Sequence, residues 1–272
     1  MNDVIDLVAL DLDGTLIGDQ MAIRDPVRRA IRRAQEQHVT VTLATGRMFD
    51  AALEFARDLA IDAPLICYQG GLIQAPDSQT PLFRATMDPD VVREALNWRT
   101  YETEANWHMV LYADNALFVA EQRHPERFYR DLLGTNLQWV DDLESVLADH
   151  TPEKFLFIAD PGEADRIEAA MRERFREQVE VVRSHAKLVE GNPLGVSKGD
   201  GLRRLAQHLG VERQRVMAVG DQGNDVSMIR WAGVGVAMGD GSPAAKAVAD
   251  WIAPPFSEDG VAAAIQRFVL GG

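Results

Sequence analysis

Short apolar runs alternate with amphipathic helical patterns at both ends of this 272-residue chain, and this alternation limits the possible folds most strongly. In the first part, strand-like runs occupy residues 7–10, 39–44 and 65–68. A helix pattern separates the first two runs, with apolar residues at the spacing of one helix face: Val27, Ala30, Ile31 and Ala34. The order strand, helix, strand, helix, strand predicts a parallel sheet with right-handed crossovers.

The same alternation returns after residue 193, where strand-like runs lie at residues 216–219, 234–238 and 250–253. The two ends of the chain therefore predict an α/β fold with a Rossmann-like, doubly wound parallel sheet as its core. Asp25-Pro26 is typical of an N-cap followed by proline at the first helical position, so a helix is expected to begin there.

The middle of the chain follows a different pattern. Strand-like runs at 107–112 and 116–120 are joined by Asp114-Asn115, which indicates a hairpin. Further strands and helices follow in the mixture that is typical of an α+β domain. We therefore expect a core domain built from residues 1–80 and 190–272, with an α+β domain inserted between them at residues 81–189.

The overall charge excludes several classes of partner. The formal net charge is -14, whereas nucleic acids and anionic membrane surfaces select basic patches. No segment approaches the ~20 apolar residues that span a bilayer, and aspartates interrupt the N-terminal stretch where a signal peptide would be apolar. We therefore expect a cytoplasmic protein, a monomer or a homodimer, with neither nucleic acid nor membrane as a partner.

Polar residues follow three of the predicted parallel strands. Asp11 and Asp13 follow the first strand, Thr45 follows the second, and Asp221 follows the strand at 216–219. The carboxyl ends of such strands share one edge of the sheet, where ligands bind. Asp-x-Asp-Gly alone is also a common polar turn, but two carboxylates this close repel each other unless a cation or a proton is shared. Oxygen ligands of this kind suit Mg²⁺.

Two further groups complete the expected site. Lys198 lies near the predicted start of a helix, where its cation and the backbone N–H groups favour an anion such as phosphate. The segment at 220–225 adds the carboxylates of Asp221 and Asp225 and the amide of Asn224. Arg47 follows Thr45-Gly46 and either holds a substrate oxygen or pairs with an aspartate of the site.

Four short motifs together resemble those of the haloacid dehalogenase superfamily. They are, in order, Asp-Leu-Asp-Gly-Thr at 11–15, Thr45-Gly46-Arg47, Lys198-Gly199 and Gly220-Asp221-x-x-Asn224-Asp225. Each motif alone is weak, but four in this order are specific, and the resemblance covers essentially the whole chain. The inserted section resembles the large α/β cap of the Cof-type sugar-phosphate phosphatases.

The resemblance implies an Mg²⁺-dependent phosphomonoester hydrolase that acts on small phosphorylated metabolites, such as sugar phosphates. Asp11 would attack phosphorus and form an aspartyl-phosphate, as carboxylate nucleophiles do. Asp13 would protonate the leaving group and then deprotonate the hydrolytic water. Asp221, the Asp11 carboxylate and the Asp13 backbone carbonyl would bind the metal.

The resemblance also implies which residues hold the substrate. Thr45, Gly46, Arg47, Lys198 and Asn224 would bind the phosphoryl group. Asp225 would support the site as a partner either of Lys198 or of a metal-bound water.

Two residues depart from the family pattern. Gln69 stands where asparagine before glycine is usual, and Asp240 follows Gly239 where asparagine is usual. Two alternative functions stay open at this point: a phosphomutase, which would return the phosphoryl group to a sugar, and a metabolite-binding protein without turnover.

Overall fold

The computed structural model describes residues 4–18, 20–101, 106–134 and 136–271. The chain divides into two compact units. The first consists of Met1–Gly46, Ala52–Phe83 and Ser197–Gly272, and the second of Arg47–Ala51 and Arg84–Val196. Each unit is therefore assembled from more than one segment of the chain.

The secondary structure follows the chain in three stretches. The first contains β1 (Leu7–Leu10), α1 (Asp25–Glu36), β2 (Thr40–Leu43), α2 (Phe49–Asp58), β3 (Leu65–Cys67), β4 (Leu72–Gln74) and β5 (Phe83–Arg84). The second contains α3 (Pro89–Tyr101), β6 (His108–Ala113), β7 (Ala116–Val119), α4 (Glu126–Leu132), β8 (Leu137–Trp139), α5 (Leu143–Asp149), β9 (Pro152–Ile158), α6 (Pro161–Arg174), β10 (Val179–His185) and β11 (Leu188–Pro193). The third contains α7 (Lys198–Leu209), β12 (Val216–Gly220), α8 (Val226–Trp231), β13 (Val234–Ala237), α9 (Pro243–Lys246), β14 (Trp251–Ile252) and α10 (Gly260–Phe268).

A parallel sheet of five strands forms the centre of the first unit, in the order β14-β13-β12-β1-β2. Leu7 pairs with Thr40 on one side and with Val216 on the other, so β1 is central. All four residues of β1 are buried, as expected for a parallel strand with both faces covered. The predicted α/β class and doubly wound parallel core are confirmed, and the strand order reverses between β1 and β12.

The third predicted strand is only loosely part of that sheet. A single parallel bridge joins Ala44 to Ile66, whereas β3 pairs antiparallel with β4 in a separate sheet of the order β3-β4-β5. The physical reason is a tight reversal after Cys67, where Tyr68 and Gln69 take positive φ values of 50° and 59°. The chain therefore turns back on itself where the pattern predicted one more parallel strand.

The start of α1 also differs from the expected N-cap. Arg24 occupies the N-cap position, and Asp25 is the first helical residue. The Arg24 guanidinium donates to the Asp259 carboxylate at 2.6 Å instead of capping the helix. Asp25 still lies in the first turn, where a negative charge is favourable because of the helix dipole.

A six-stranded sheet of the order β10-β11-β9-β6-β7-β8 forms the second unit. The predicted hairpin is present, because β6 and β7 pair antiparallel and Asp114 and Asn115 take positive φ values of 47° and 60°. One face of the sheet packs on residues of α3, α5 and α6 in a hydrophobic cluster that includes Phe155 and Phe157.

Alternate residues of the same sheet face the other way, and some of them are charged. Lys154 on β9 and Glu190 on β11 form an ion pair at 2.7 Å, and both side chains are buried. The Lys154 ammonium also lies 4.6 Å from the ring centre of Tyr112. Across the described ranges of both units, no helix combines the length and the apolar character needed to cross a bilayer.

Candidate active site

Asp11 and Asp13 lie immediately after β1 in the first unit. Asp11 is buried and its backbone N–H donates to the Val219 carbonyl at 3.0 Å, whereas Asp13 is exposed. Gly14 turns the chain with a φ of +85°, and a side-chain carbon there would stand 2.5 Å from Asp221 Oδ2. The loops after β1 and β12 are therefore in direct contact.

Lys198 connects the start of α7 to two carboxylates. Ser197 caps this helix by accepting the Asp200 backbone N–H at 3.1 Å, so Lys198 is the first helical residue. Its ammonium donates to Asp11 Oδ1 at 2.5 Å and to Asp225 Oδ1 at 2.6 Å. Burial alone would lower the pKa of Lys198, but the charges of Asp11 and Asp225 outweigh it and raise the pKa overall. Lys198 is therefore a buried, charged ammonium.

Asp225 ties that ammonium to the loop after β12. Its side chain is fully buried, and its Oδ2 accepts the backbone N–H groups of Asp221 and Gln222, each at 2.9 Å. Because Oδ1 accepts from Lys198, both carboxylate oxygens are engaged. Asp225 thus fixes Lys198 and the Asp221 backbone relative to each other.

The two carboxylate oxygens of Asp221 accept hydrogen bonds from uncharged side chains. Thr15 Oγ1 donates to its Oδ1 at 3.0 Å, and Gln222 Nε2 donates to its Oδ2 at 2.6 Å. Burial, followed by repulsion from Asp225, raises the pKa of Asp221 to about 6. Burial and Asp225 likewise raise the pKa of Asp11 well above its usual range, although Lys198 opposes them. The site therefore holds more negative charge than its own cation neutralises.

This excess of charge fits a divalent cation. Asp11, Asp221 and Asp225 each offer a carboxylate oxygen, and the three atoms lie within 4.8 Å of one another. Three carboxylates face one ammonium, and oxygen donors of this kind suit a hard ion. Asp225 accepts from the Lys198 ammonium and from two fixed backbone N–H groups, whereas the two donors to Asp221 are side chains that can rotate away. The side chains of Asp11 and Asp221 are therefore better placed than Asp225 to bind a metal.

Gln69, a residue without a predicted role, contacts Thr45, Gly46 and Asn224. Thr45 is buried just beyond β2, and its backbone N–H donates to the Ile66 carbonyl at 2.8 Å. Asn224 Nδ2 donates to Gln69 Oε1 at 3.2 Å. Gly46 packs so closely on the Gln69 carboxamide that a side-chain carbon there would collide with it. The loops after β2, β3 and β12 therefore meet at Gln69.

Arg47 directly follows Gly46 in the chain, groups with the second unit and is half-buried. Both predicted roles of Arg47 stay predictions. Asp240 is exposed, and its two carboxylate oxygens accept the Phe256 backbone N–H at 3.1 and 3.2 Å. With Asp221 and Gly14 it lines a cavity of about 780 Å³ in the first unit.

Three residues without a predicted role also shape the site, namely Thr15, Gln222 and Gln69. Thr15 lies inside the first motif, but threonine after Asp-Gly is ordinary in a turn. Gln222 has no signal of its own beyond standing next to Asp221. Gln69 was visible as a departure from the family pattern, which is the one sequence signal that pointed towards it.

Comparisons with known proteins identify the family of this chain. A family model described as haloacid dehalogenase-like hydrolase matches residues 8–265. The chain is 33% identical over 266 residues to the 5-amino-6-(5-phospho-D-ribitylamino)uracil phosphatase YcsE of Bacillus subtilis, covering 98% of this chain and 96% of that protein. It is 29% identical over 237 residues to the HMP-PP phosphatase of Enterobacter sp. (strain 638), covering 87% of this chain and 85% of that one.

A solved structure shares the fold over nearly the whole length. The crystal structure of a haloacid dehalogenase-like hydrolase from Bacteroides thetaiotaomicron matches with a TM-score of 0.84 and 29% identity, covering 97% of this chain and 99% of that one. The family match, the relatives and the buried aspartate cluster all point the same way. The chain therefore belongs to the haloacid dehalogenase-like hydrolases, and within that superfamily it is a Cof-type phosphatase.

Proposed function

We propose that this phosphatase is an Mg²⁺-dependent phosphomonoester hydrolase that acts on small phosphorylated metabolites, such as sugar phosphates, through an aspartyl-phosphate on Asp11. The observation that carries the proposal is the buried Lys198 ammonium between Asp11 and Asp225, directly beside Asp221. A buried cation and a buried carboxylate at the carboxyl end of β1 offer both a nucleophile and a charge to hold a phosphoryl group.

In the first step, a carboxylate oxygen of Asp11 forms a bond to phosphorus while the bond from phosphorus to the leaving oxygen breaks. Lys198 holds Asp11 Oδ1 and so fixes the orientation of the carboxylate. Asp13 donates its proton to the leaving alkoxide, and its exposed position leaves it within reach of a substrate.

In the second step, Asp13 takes a proton from water, and the water oxygen forms a bond to phosphorus. The bond between phosphorus and Asp11 breaks, which releases inorganic phosphate and restores the carboxylate. Thr45, Gly46 and Asn224 would hold the phosphoryl oxygens through both steps, together with Lys198. Arg47 would add a further contact to the substrate.

The donor set fits Mg²⁺, which the side chains of Asp11 and Asp221 and the backbone carbonyl of Asp13 would hold. When bound, the ion would offset the charges of the carboxylates and the phosphate, which lowers the pKa of Asp11 and keeps it ionised. The raised pKa values of Asp11 and Asp221 support this need for a cation.

We further propose that residues 81–189 act as a cap domain that selects the leaving group, on a core of residues 1–80 and 190–272. We also propose a cytoplasmic protein, a monomer or a homodimer, and the net charge of -14 supports the absence of nucleic acid and membrane partners. The phosphorylated ribitylaminouracil named for the Bacillus relative is the first substrate to test.

The test is phosphate release from a panel of that compound, sugar phosphates, nucleotides and cofactor phosphates, with Mg²⁺ or with EDTA. We expect release that needs Mg²⁺ and disappears in Asp11→Asn. Asp58→Asn is the matched control, because Asp58 is an exposed aspartate that pairs with Arg28. It should retain wild-type activity.

Two outcomes would contradict the proposal. An isomerised sugar phosphate in place of inorganic phosphate would indicate a phosphomutase. Absence of turnover on every compound, in folded protein with Mg²⁺ present, would indicate a metabolite-binding protein.

A further inference from the structure

Gln69 combines a buried side chain with an unfavourable backbone. Its side chain is 1% exposed, and its φ of 59° and ψ of 22° lie in the left-handed region. Tyr68 before it also has a positive φ, of 50°. Left-handed residues other than glycine are unfavourable, and they persist where the surrounding structure imposes them, often at functional sites.

Two neighbouring elements hold this turn in place. The Gln69 backbone N–H donates to the Thr45 carbonyl at 3.0 Å, which ties the turn to the end of β2. Gly70, with a φ of +101°, packs so closely on the Ser197 carbonyl that a side-chain carbon would collide with it. The turn is therefore fixed against the start of α7, the helix that carries Lys198.

The Gln69 carboxamide spans the space between two loops of the site. Its oxygen accepts from Asn224 Nδ2 at 3.2 Å, and its nitrogen is the atom that a side chain at Gly46 would meet first. The loop after β12 and the loop after β2 are thus linked by one buried side chain.

The orientation of Asn224 depends on that link. Asn224 Oδ1 is buried and, within the described chain, has no hydrogen-bond partner. The bond to Gln69 is therefore what fixes which way the amide points, because an amide offers two donors on one end and only acceptors on the other. With one N–H held by Gln69, the second N–H of Asn224 has a defined direction.

We propose that Gln69 is a positioning residue that orients the Asn224 amide so that its second N–H donates to the phosphoryl group. This role rests on the proposed phosphatase function. The strained turn serves it by directing the Gln69 side chain inward, between Gly46 and Asn224, and by holding it there.

The first variant, Gln69→Met, has nearly the same length and volume but lacks the carbonyl oxygen that accepts the hydrogen bond from Asn224. We expect kcat/KM to fall about 10- to 100-fold and the inhibition constant of inorganic phosphate to rise about tenfold, as for a lost hydrogen bond to a charged group. The double variant Gln69→Met with Asn224→Ala should lose no more than Asn224→Ala alone, because residues that act through one contact are not additive. If Gln69 acted through a contact other than Asn224, its loss would instead add to that of Asn224→Ala.

The second variant, Gln69→Glu, keeps the shape and an oxygen that accepts from Asn224. It places a negative charge beside the phosphate site, so the inhibition constant of inorganic phosphate should rise about tenfold or more. Gln35→Met and Gln35→Glu are matched controls. Gln35 belongs to the same unit and donates to the Leu59 and Ala60 carbonyls at 3.2 and 3.1 Å, away from the residues of the site.

Three results would overturn the role of Gln69 while leaving the phosphatase function intact. They are wild-type kcat/KM in Gln69→Met, losses that multiply in the double variant, and unchanged phosphate inhibition in folded Gln69→Glu. A wild-type protein that releases phosphate from none of the panel compounds would instead refute the proposed function. Circular dichroism on each variant confirms that the folded protein is what is assayed.

Discussion

Replacing Asp221 with asparagine should stabilise the metal-free protein while abolishing its response to Mg²⁺. In the folded chain the pKa of Asp221 is raised by burial and by Asp225 from 3.8 to about 6. Ionised Asp221 is therefore unfavourable in the fold. The protonated carboxyl of Asp221 therefore adds to the free energy of unfolding. This contribution is complete below about pH 4 and is lost as the pH rises through about 6.

The size of the effect follows from that shift. A change from 3.8 to about 6 corresponds to about 3 kcal/mol at 1.36 kcal/mol per pKa unit. Asparagine keeps an oxygen for Thr15, but it places an NH₂ group opposite Gln222 Nε2, which loses a hydrogen bond of about 1 kcal/mol. We therefore expect Asp221→Asn to be about 2 kcal/mol more stable than wild type at pH 8 in EDTA.

Urea unfolding at pH 4.5 and pH 8, in EDTA and in Mg²⁺, measures the free energy of unfolding of wild type and of Asp221→Asn. The gain in stability should appear at pH 8 and nearly vanish at pH 4.5, and Mg²⁺ should stabilise wild type but not the variant, because a ligand stabilises only the state that binds it. Asp58→Asn serves as an exposed control without a pH-dependent gain. The same stability difference between Asp221→Asn and wild type at both pH values, or a variant less stable than wild type at pH 8, would contradict this prediction.

Three further predictions concern other contacts. At limiting Mg²⁺, the initial rate of phosphate release should fall as the pH drops below about 6, because Asp221 is then protonated. A higher Mg²⁺ concentration should move the midpoint of this fall to lower pH. A rate that does not change between pH 5 and pH 8 would contradict the prediction. Glu190→Gln should destabilise the protein by about 3 kcal/mol or more in urea, since Lys154 is left as a buried charge, and Lys154→Met with Glu190→Leu should recover most of that loss. Gly14→Ala should lower kcat/KM about 100-fold, because its φ is +85° and the new carbon would displace the Asp221 carboxylate; wild-type kinetics in that variant would show that this contact is unimportant.

The parallel core was predictable because its signals are local and repeated. The run that became β1 is apolar throughout, and the helix face of α1 recurs at regular spacing, so pattern alone located both. Ser197 and Gly210 mark the ends of α7, with the serine capping the first turn and the glycine in a left-handed conformation. Such features depend on neighbours within a few residues.

The sequence predicted which residues lie at the site, but it did not predict most of the hydrogen bonds between them. Parallel strands end at one edge, so Asp11 and Asp221 were expected to converge. Nothing local indicates that Asp225 accepts two backbone N–H groups, that Gln69 links Gly46 to Asn224, or that Arg47 groups with the second unit. The reversal after Cys67 was missed for the same reason, because two left-handed residues that are not glycine have no distinctive composition.

Because the first unit is built from both ends of the chain, it cannot be completed until the last part of the chain has been synthesised. Lys198 bonds to Asp11 across 187 residues, and Thr15 bonds to Asp221 across 206. By contrast, nearly all of the second unit is one continuous segment, Arg84–Val196. On the ribosome, that segment is complete and free to fold before α7 and β12 have been synthesised, while β1 still lacks its neighbour β12. Contacts this distant in sequence also slow folding. The nascent chain therefore exposes the unpaired edge of β1 for most of its synthesis, and the site that joins Asp11 to Lys198 forms only near the end.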